Sequence, residues 1–166
     1  MTHSGNTTHS RNLASWEQFR TEAPALAESI AARWAAHRHH VLATLRRDGS
    51  PRISGTEVEI VDGRLVIGSM PGALKARDLQ RDGRYALHSN PGHHDMAGGD
   101  AKVAGHAREL LGEQKAAILA AYPSPVPDGP MHLFELDIAE AVLVTVDETM
   151  HVDLWRPGAG VVRHER

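Results

Sequence analysis

The pair Asp62-Gly63, set between apolar residues that alternate with polar ones, constrains this chain more than any other feature. Type I′ hairpin turns need positive φ at both central residues, and Asp-Gly meets that need at low steric cost. Val58, Ile60, Leu65 and Ile67 supply the apolar face of the two arms, the last two at strict period two. Pro51 to Leu79 is therefore expected to form two strands joined by a tight turn, then a glycine-bearing loop that opens a helix. Helix propensity returns at Ala73 and continues through Leu79, with Leu74 and Leu79 as the expected buried contacts.

A helix that starts beside a small-residue loop offers unpaired backbone N–H groups and the positive end of its dipole, which suits an anion. Lys75 stands in that first turn, where a cation is unfavourable unless an anion is present. Arg52 and Ser54 lie on one face of the preceding strand, so the segment has the makings of a phosphate site. The same residues also fit a plainer description, with Lys75 and Arg77 on a solvated helix face and Arg52 as an exposed strand residue. Local chemistry leaves both readings open.

Composition narrows the classes. A chain of 166 residues with 41% hydrophobic and 23% charged residues has the size and balance of one soluble domain. Aromatics make up only 4%, so Leu, Val, Ile and Ala must build the core. The 18 basic and 21 acidic residues leave a net charge of −3, which argues against a nucleic-acid surface. With no cysteine there is no disulfide framework, thiolate metal site or cysteine nucleophile. No basic segment followed by an apolar one opens the chain, and no apolar run approaches a membrane span, so a cytoplasmic protein without membrane contact is expected.

Residues 1–13 are polar and are expected to be a disordered tail, with residues 14–166 forming a single domain. Ser15 and Gln18 fit a capping box, and Leu26, Ile30 and Trp34 make one helical stripe after Pro24, expected to cover one open end of a barrel. Val41–Leu45, Arg84–Ser89, Ala101–Leu110, His132–Val146 and His151–Trp155 read as further strands, with a bulge near Ala139-Glu140, and Gly112–Tyr122 reads as a helix. The last eleven residues, RPGAGVVRHER, are assigned no element. Six or seven strands with short helices between them indicate an antiparallel barrel.

Twelve histidines invite a metal reading. His39 and His40 would point to opposite sides of a strand, and the loop group His93-His94-Asp95 lacks a further expected ligand, so no metal site is assigned. No G-x-S-x-G elbow, Walker loop or dinucleotide glycine pattern occurs.

The ordered features Asp48-Gly49-Ser50-Pro51, Ser69…Lys75…Leu79 and Asp82-Gly83-Arg84-Tyr85-Ala86-Leu87, followed by Gly99–Glu109, resemble the pyridoxamine 5′-phosphate oxidase-like family over about two-thirds of the chain. The resemblance implies a mainly β fold, the antiparallel FMN-binding split β-barrel with flanking short helices. It implies a homodimer with a flavin in each groove between subunits, and an FMN-dependent oxidoreductase acting on a small conjugated substrate. Arg52 and Lys75 would then hold the cofactor phosphate, with Ser69 and Leu74 beside it. Ile53, Ser54, Gly55 and Thr56 would run along the isoalloxazine edge. Trp155 would face the partner subunit's site, unless it is a core or rim aromatic. No catalytic acid or base is implied, because the cofactor carries the redox chemistry.

Two departures qualify the resemblance. Trp155-Arg156-Pro157-Gly158 matches poorly the arginine- and histidine-rich C-terminal motif of true pyridoxamine phosphate oxidases, which disfavours pyridoxal phosphate synthesis. Ala73 replaces the Ser or Thr usual two residues before the lysine. A deazaflavin (coenzyme F-420)-dependent reductase and a non-catalytic flavin- or haem-binding protein are the alternatives.

Overall fold

The computed structural model describes residues 12–92 and 94–166. Of the expected tail, residues 1–11 lie outside the described residues, as does His93 of the loop histidine pair.

Helices α1 (Trp16–Glu22) and α2 (Pro24–Ala36) come first, then strands β1 (His40–Leu45), β2 (Pro51–Thr56), β3 (Glu59–Val61) and β4 (Arg64–Ser69). Helix α3 (Leu74–Arg81) precedes β5 (Arg84–His88) and β6 (Asp100–Glu109). Helix α4 (Gly112–Ala120), β7 (His132–Val146), β8 (Met150–Arg156) and β9 (Gly160–Glu165) complete the chain. All pairings are antiparallel, in the order β2-β1-β5-β6-β7-β4-β3. Strands β2 and β3 stand at opposite ends of that path, yet only Glu57 and Val58 separate them in the chain. Three Cα–Cα steps reach at most about 11 Å, so the sheet must curl until its two ends meet. That short link makes the sheet a barrel.

The long strand β7 splits it. Along one edge β7 pairs with β6; along the other its first part takes β4 and its last part takes β8, which carries β9 outward. The register between β6 and β7 shifts where Ala104 faces Glu140 and Gly105 faces Ile138, leaving Ala139 as the extra residue of a bulge. A Cβ on Gly105 would stand 1.9 Å from the Asp137 carbonyl oxygen, so only glycine fits that approach.

The Asp62-Gly63 turn has φ of 48° and 71°, as the hairpin requires. Its upstream arm, however, is not one strand: β2 pairs with β1, and only β3 pairs with β4. The sequence reading made one arm of two because alternation continues through residues 57 and 58, where the chain changes partner. The tail assigned no element forms β9, a hairpin partner of β8, so nine strands stand among the described residues where six or seven were expected.

Leu26, Ile30 and Trp34 are buried as the helical stripe requires, and α2 packs on β6 and β7. Ser15 Oγ accepts from the Gln18 N–H, but the Gln18 side chain donates to Glu22 and does not reach back. Leu65 and Ile67 enter the main core; Val66, on the opposite face of β4, is also buried under α4 with Leu110, Ile118 and Leu133. Leu79 is buried, but Leu74 is 54% exposed, contrary to expectation, because at the first position of α3 no segment covers it. No helix among the described residues is long and apolar enough to cross a membrane.

Candidate functional site

The expected site residues lie on β2, at the end of β4 and on the first turn of α3. Strand β2 ends the sheet path and, among the described residues, pairs only with β1, so its other edge presents unpaired backbone groups. Ile53 and Gly55 face outward, Ile53 at 75% exposure, while Arg52 and Ser54 are half-buried on the inner side and Thr56 is buried. Among the described residues, nothing beyond Gly55 and its chain neighbours lies within 4 Å of the point where a Cβ on Gly55 would stand, so a flat group has room there.

Ser69 closes β4. Its hydroxyl is buried without a hydrogen-bond partner among the described residues, and such a group is costly unless something satisfies it. Helix α3 starts after Ala73, which offers no side-chain cap, so the first-turn N–H groups are left to solvent or a ligand. Lys75 Nζ donates to the Gly55 carbonyl at 2.7 Å, tying α3 to β2. Burial holds its ammonium below the usual lysine range, with Glu57 offsetting part of that effect. An anion near Lys75 would oppose that downward shift.

Arg52 and Lys75, expected on one phosphate, are turned to different partners. Arg52 Nε donates to Asp78 Oδ2 at 2.6 Å. The same oxygen accepts from Thr44 at 2.8 Å, and Asp78 Oδ1 accepts from Arg81 at 3.1 Å. Burial pushes the Asp78 carboxyl up, but the hydrogen bonds from Arg52, Thr44 and Arg81 outweigh it and hold it below the usual range. Around this carboxylate lies an open groove of about 440 Å³. One wall is Leu74, Arg77, Asp78 and Arg81, a single stripe of α3 at helical spacing; the other is Arg46, Arg47 and Asp48 of the β1–β2 turn, with Arg52. The sequence reading missed this groove, although the four-residue stripe was a usable signal.

Trp155 requires a correction. It is fully buried, its ring centroid 4.6 Å from that of Phe19, which in turn stacks edge-on to Trp16 at 5.3 Å. Its ring therefore belongs to its own subunit's core and does not reach a partner's site. The cause is α1, whose Phe19 packs against the ring.

His40 is likewise structural: its Nδ1 accepts from the Asn90 N–H at 3.0 Å, leaving Nε2 to donate to the Trp34 carbonyl at 3.1 Å. Burial holds its pKa below the usual value, in keeping with a neutral ring.

Acid sensitivity follows from the aspartates. Arg84 beside Asp82 holds that carboxyl at about 2, and Asp78 and Asp153 are also held down. The unfolded chain takes up these protons near pH 3.9, before the folded one does, so the stability they contribute is complete above about pH 4 and is lost as pH falls toward 2. Melting temperature measured from pH 6 to pH 2 is expected to hold down to about pH 4 and then drop; a flat profile would remove these ion pairs from the account.

Solved structures share this architecture. A haem-binding protein from Mycobacterium smegmatis aligns with a TM-score of 0.66 at 24% identity, covering 81% of this chain, which spans 59% of that protein's length. A pyridoxamine 5′-phosphate oxidase-related, FMN-binding protein from Nostoc punctiforme PCC 73102 aligns at 0.63 with 13% identity, covering 86% of this chain and 95% of its own. PhzG from Burkholderia lata 383, in complex with tetrahydrophenazine-1-carboxylic acid, aligns at 0.61 with 15% identity over 87% and 92%. At these identities the likeness establishes the fold. No curated protein matches the chain in sequence. The family model for pyridoxamine 5′-phosphate oxidase matches residues 26–145, and on that match this chain belongs to the family.

Proposed function

We propose that the chain is an FMN-dependent oxidoreductase that works on a small conjugated substrate in the cytoplasm. The carrying observation is the donor set between residues 69 and 75: the unpartnered buried Ser69 hydroxyl, the uncapped start of α3, and Lys75 with one carbonyl as its hydrogen-bond partner. These groups fit a phosphate, which supplies the acceptors they lack. The open edge of β2 from Ile53 to Thr56, with clear space at Gly55, suits the edge of a flat ring. Bound there, the flavin would supply hydride chemistry; the chain would bind, orient and shield it. Arg52, held by Asp78, would add charge to the neighbourhood without joining Lys75 on the phosphate.

Lys75→Ala is expected to weaken FMN binding by about 1.5–3 kcal/mol, the range for a charge-assisted contact, with the fold intact. FMN titration of the apoprotein, followed by flavin fluorescence, reads the affinity; equal binding by the variant would reduce Lys75 to a surface residue. The visible spectrum of purified protein separates FMN from deazaflavin and haem. Bleaching by NADPH or NADH without oxygen tests catalysis.

The functional unit is a homodimer. Ile53, Ala43, Ala86 and Ala104 stand side by side across β2, β1, β5 and β6 on the outer face, a low row of apolar residues suited to a flat partner. Obligate interfaces of this kind bury about 2,000 Å² or more. Light scattering is expected to give twice the 18.0 kDa chain mass, and a stable monomer at micromolar concentration would remove the shared groove.

A further inference from the structure

The groove between α3 and the β1–β2 turn is a concentration of positive charge that the fold does not itself neutralise. Five arginines and two aspartates line it, an excess of three positive charges in about 440 Å³. The aspartates are already committed. Asp78 holds Arg52 and Arg81, and Asp48 accepts from the backbone and hydroxyl of Ser50 within its own turn. Arg46 donates to the Pro51 carbonyl. Arg47 and Arg77 have no hydrogen-bond or ion-pair partner among the described residues, and they stand on opposite walls. Guanidinium groups facing one another across a groove repel, and a planar fork of N–H donors is matched by phosphate or carboxylate oxygens.

The groove borders the expected cofactor cradle through Arg52 and Leu74, but neither Lys75 nor Ser69 lines it. Leu74, Arg77, Asp78 and Arg81 follow one another at spacings of three and four, so they share a face of α3; Lys75 lies about 100° round the helix from Leu74, lines no part of the groove, and is fastened to Gly55.

We propose that this groove is a second anion site, which binds the phosphate or polyphosphate group of a small-molecule reactant, with Arg47 and Arg77 reaching it from opposite walls and Arg52 and Arg81, fixed by Asp78, adding charge beside them. Asp78 acts as a positioning residue there. The site stands independently of which planar cofactor lies along β2.

Inorganic pyrophosphate, titrated calorimetrically into the purified full-length protein with whatever cofactor it carries, is the direct probe. One pyrophosphate per chain is expected, with affinity falling at least about tenfold between low and high salt, because the contacts are ionic. The double variant Arg47→Ser/Arg77→Ser should bind pyrophosphate at least about tenfold more weakly, with its fold by circular dichroism and its cofactor spectrum unchanged. Should the double variant not fold, Arg77→Gln alone is expected to weaken binding about threefold and decides the matter. Citrate is the second probe: binding of citrate but not pyrophosphate overturns the phosphate assignment. No pyrophosphate binding, or equal binding by the variants, overturns the site itself. Competition between FMN and pyrophosphate would make the groove the cofactor's own phosphate seat and overturn the claim of a second site. A protein that binds no flavin yet passes the pyrophosphate test would remove the proposed cofactor and leave the groove standing.

Discussion

Trp155→Ala is expected to destabilise the protein by about 3–5 kcal/mol, the range for removing a large buried aromatic from a core that relaxes only in part. The ring has no exposed surface and packs on Phe19, itself fully buried, which touches Trp16 in turn. Its loss would open a cavity between α1 and β8 and loosen the element that covers this side of the barrel. Trp155→Phe, which fills part of the volume, should recover about half of the loss. Urea unfolding measures both, provided the slope with denaturant is unchanged. FMN affinity, measured where each variant is still folded, is expected to stay within about twofold of wild type, because the indole is enclosed in its own subunit. A stable Trp155→Ala protein with weakened cofactor binding would reverse the assignment and return the ring to the site.

Asp78→Ala comes second, at about 3 kcal/mol, the lower end for breaking a buried ion pair, since the arginines concerned are part-exposed. The carboxylate itself is nearly enclosed, and its loss strands the buried Thr44 hydroxyl and Arg52 Nε and leaves Arg81, among the described residues, with the Leu45 carbonyl alone. Asp78→Asn keeps an acceptor and the volume but not the charge, so it should cost less than the alanine variant. Chemical denaturation of the two variants supplies the comparison. A loss below about 1 kcal/mol for alanine would mean that water already satisfies these groups, and Arg52 and Arg81 would not be fixed in the groove by Asp78.

These expectations draw on positions that the sequence marked unequally. The helix through Leu26, Ile30 and Trp34 was legible because four-residue spacing of apolar residues has one helical solution. The turn at Asp62-Gly63 was legible because few residue pairs accept its backbone angles. Strand β7 appears with the bounds expected for it, and its bulge at Ala139 falls within the expected pair Ala139-Glu140. Of the site, the sequence pointed to β2, Ser69 and Lys75 through a strand followed by a small-residue loop and a helix start. It placed Arg52 with Lys75 because both are cations near that loop. Asp78 went unnoticed because an acidic residue within a helix normally belongs to its solvated face.

The difference lies in the range of the physics. Backbone angles, capping and side-chain periodicity act over a few residues, so the chain by itself determined the hairpin turn, most helices and most strands. Partner choice and burial depend on segments distant in sequence. Only the tertiary structure decided that β2 and β3 separate to opposite ends of the sheet path, because that follows from which edge each can pair with once the barrel curls. It also decided that Trp155 is sealed under α1, and that Arg52 turns to Asp78 while Lys75 turns to Gly55. A charged side chain settles on the counter-charge or carbonyl that folding brings within reach, and neither Asp78 nor Gly55 is near enough in sequence to Arg52 or Lys75, respectively, for spacing to foretell the bond.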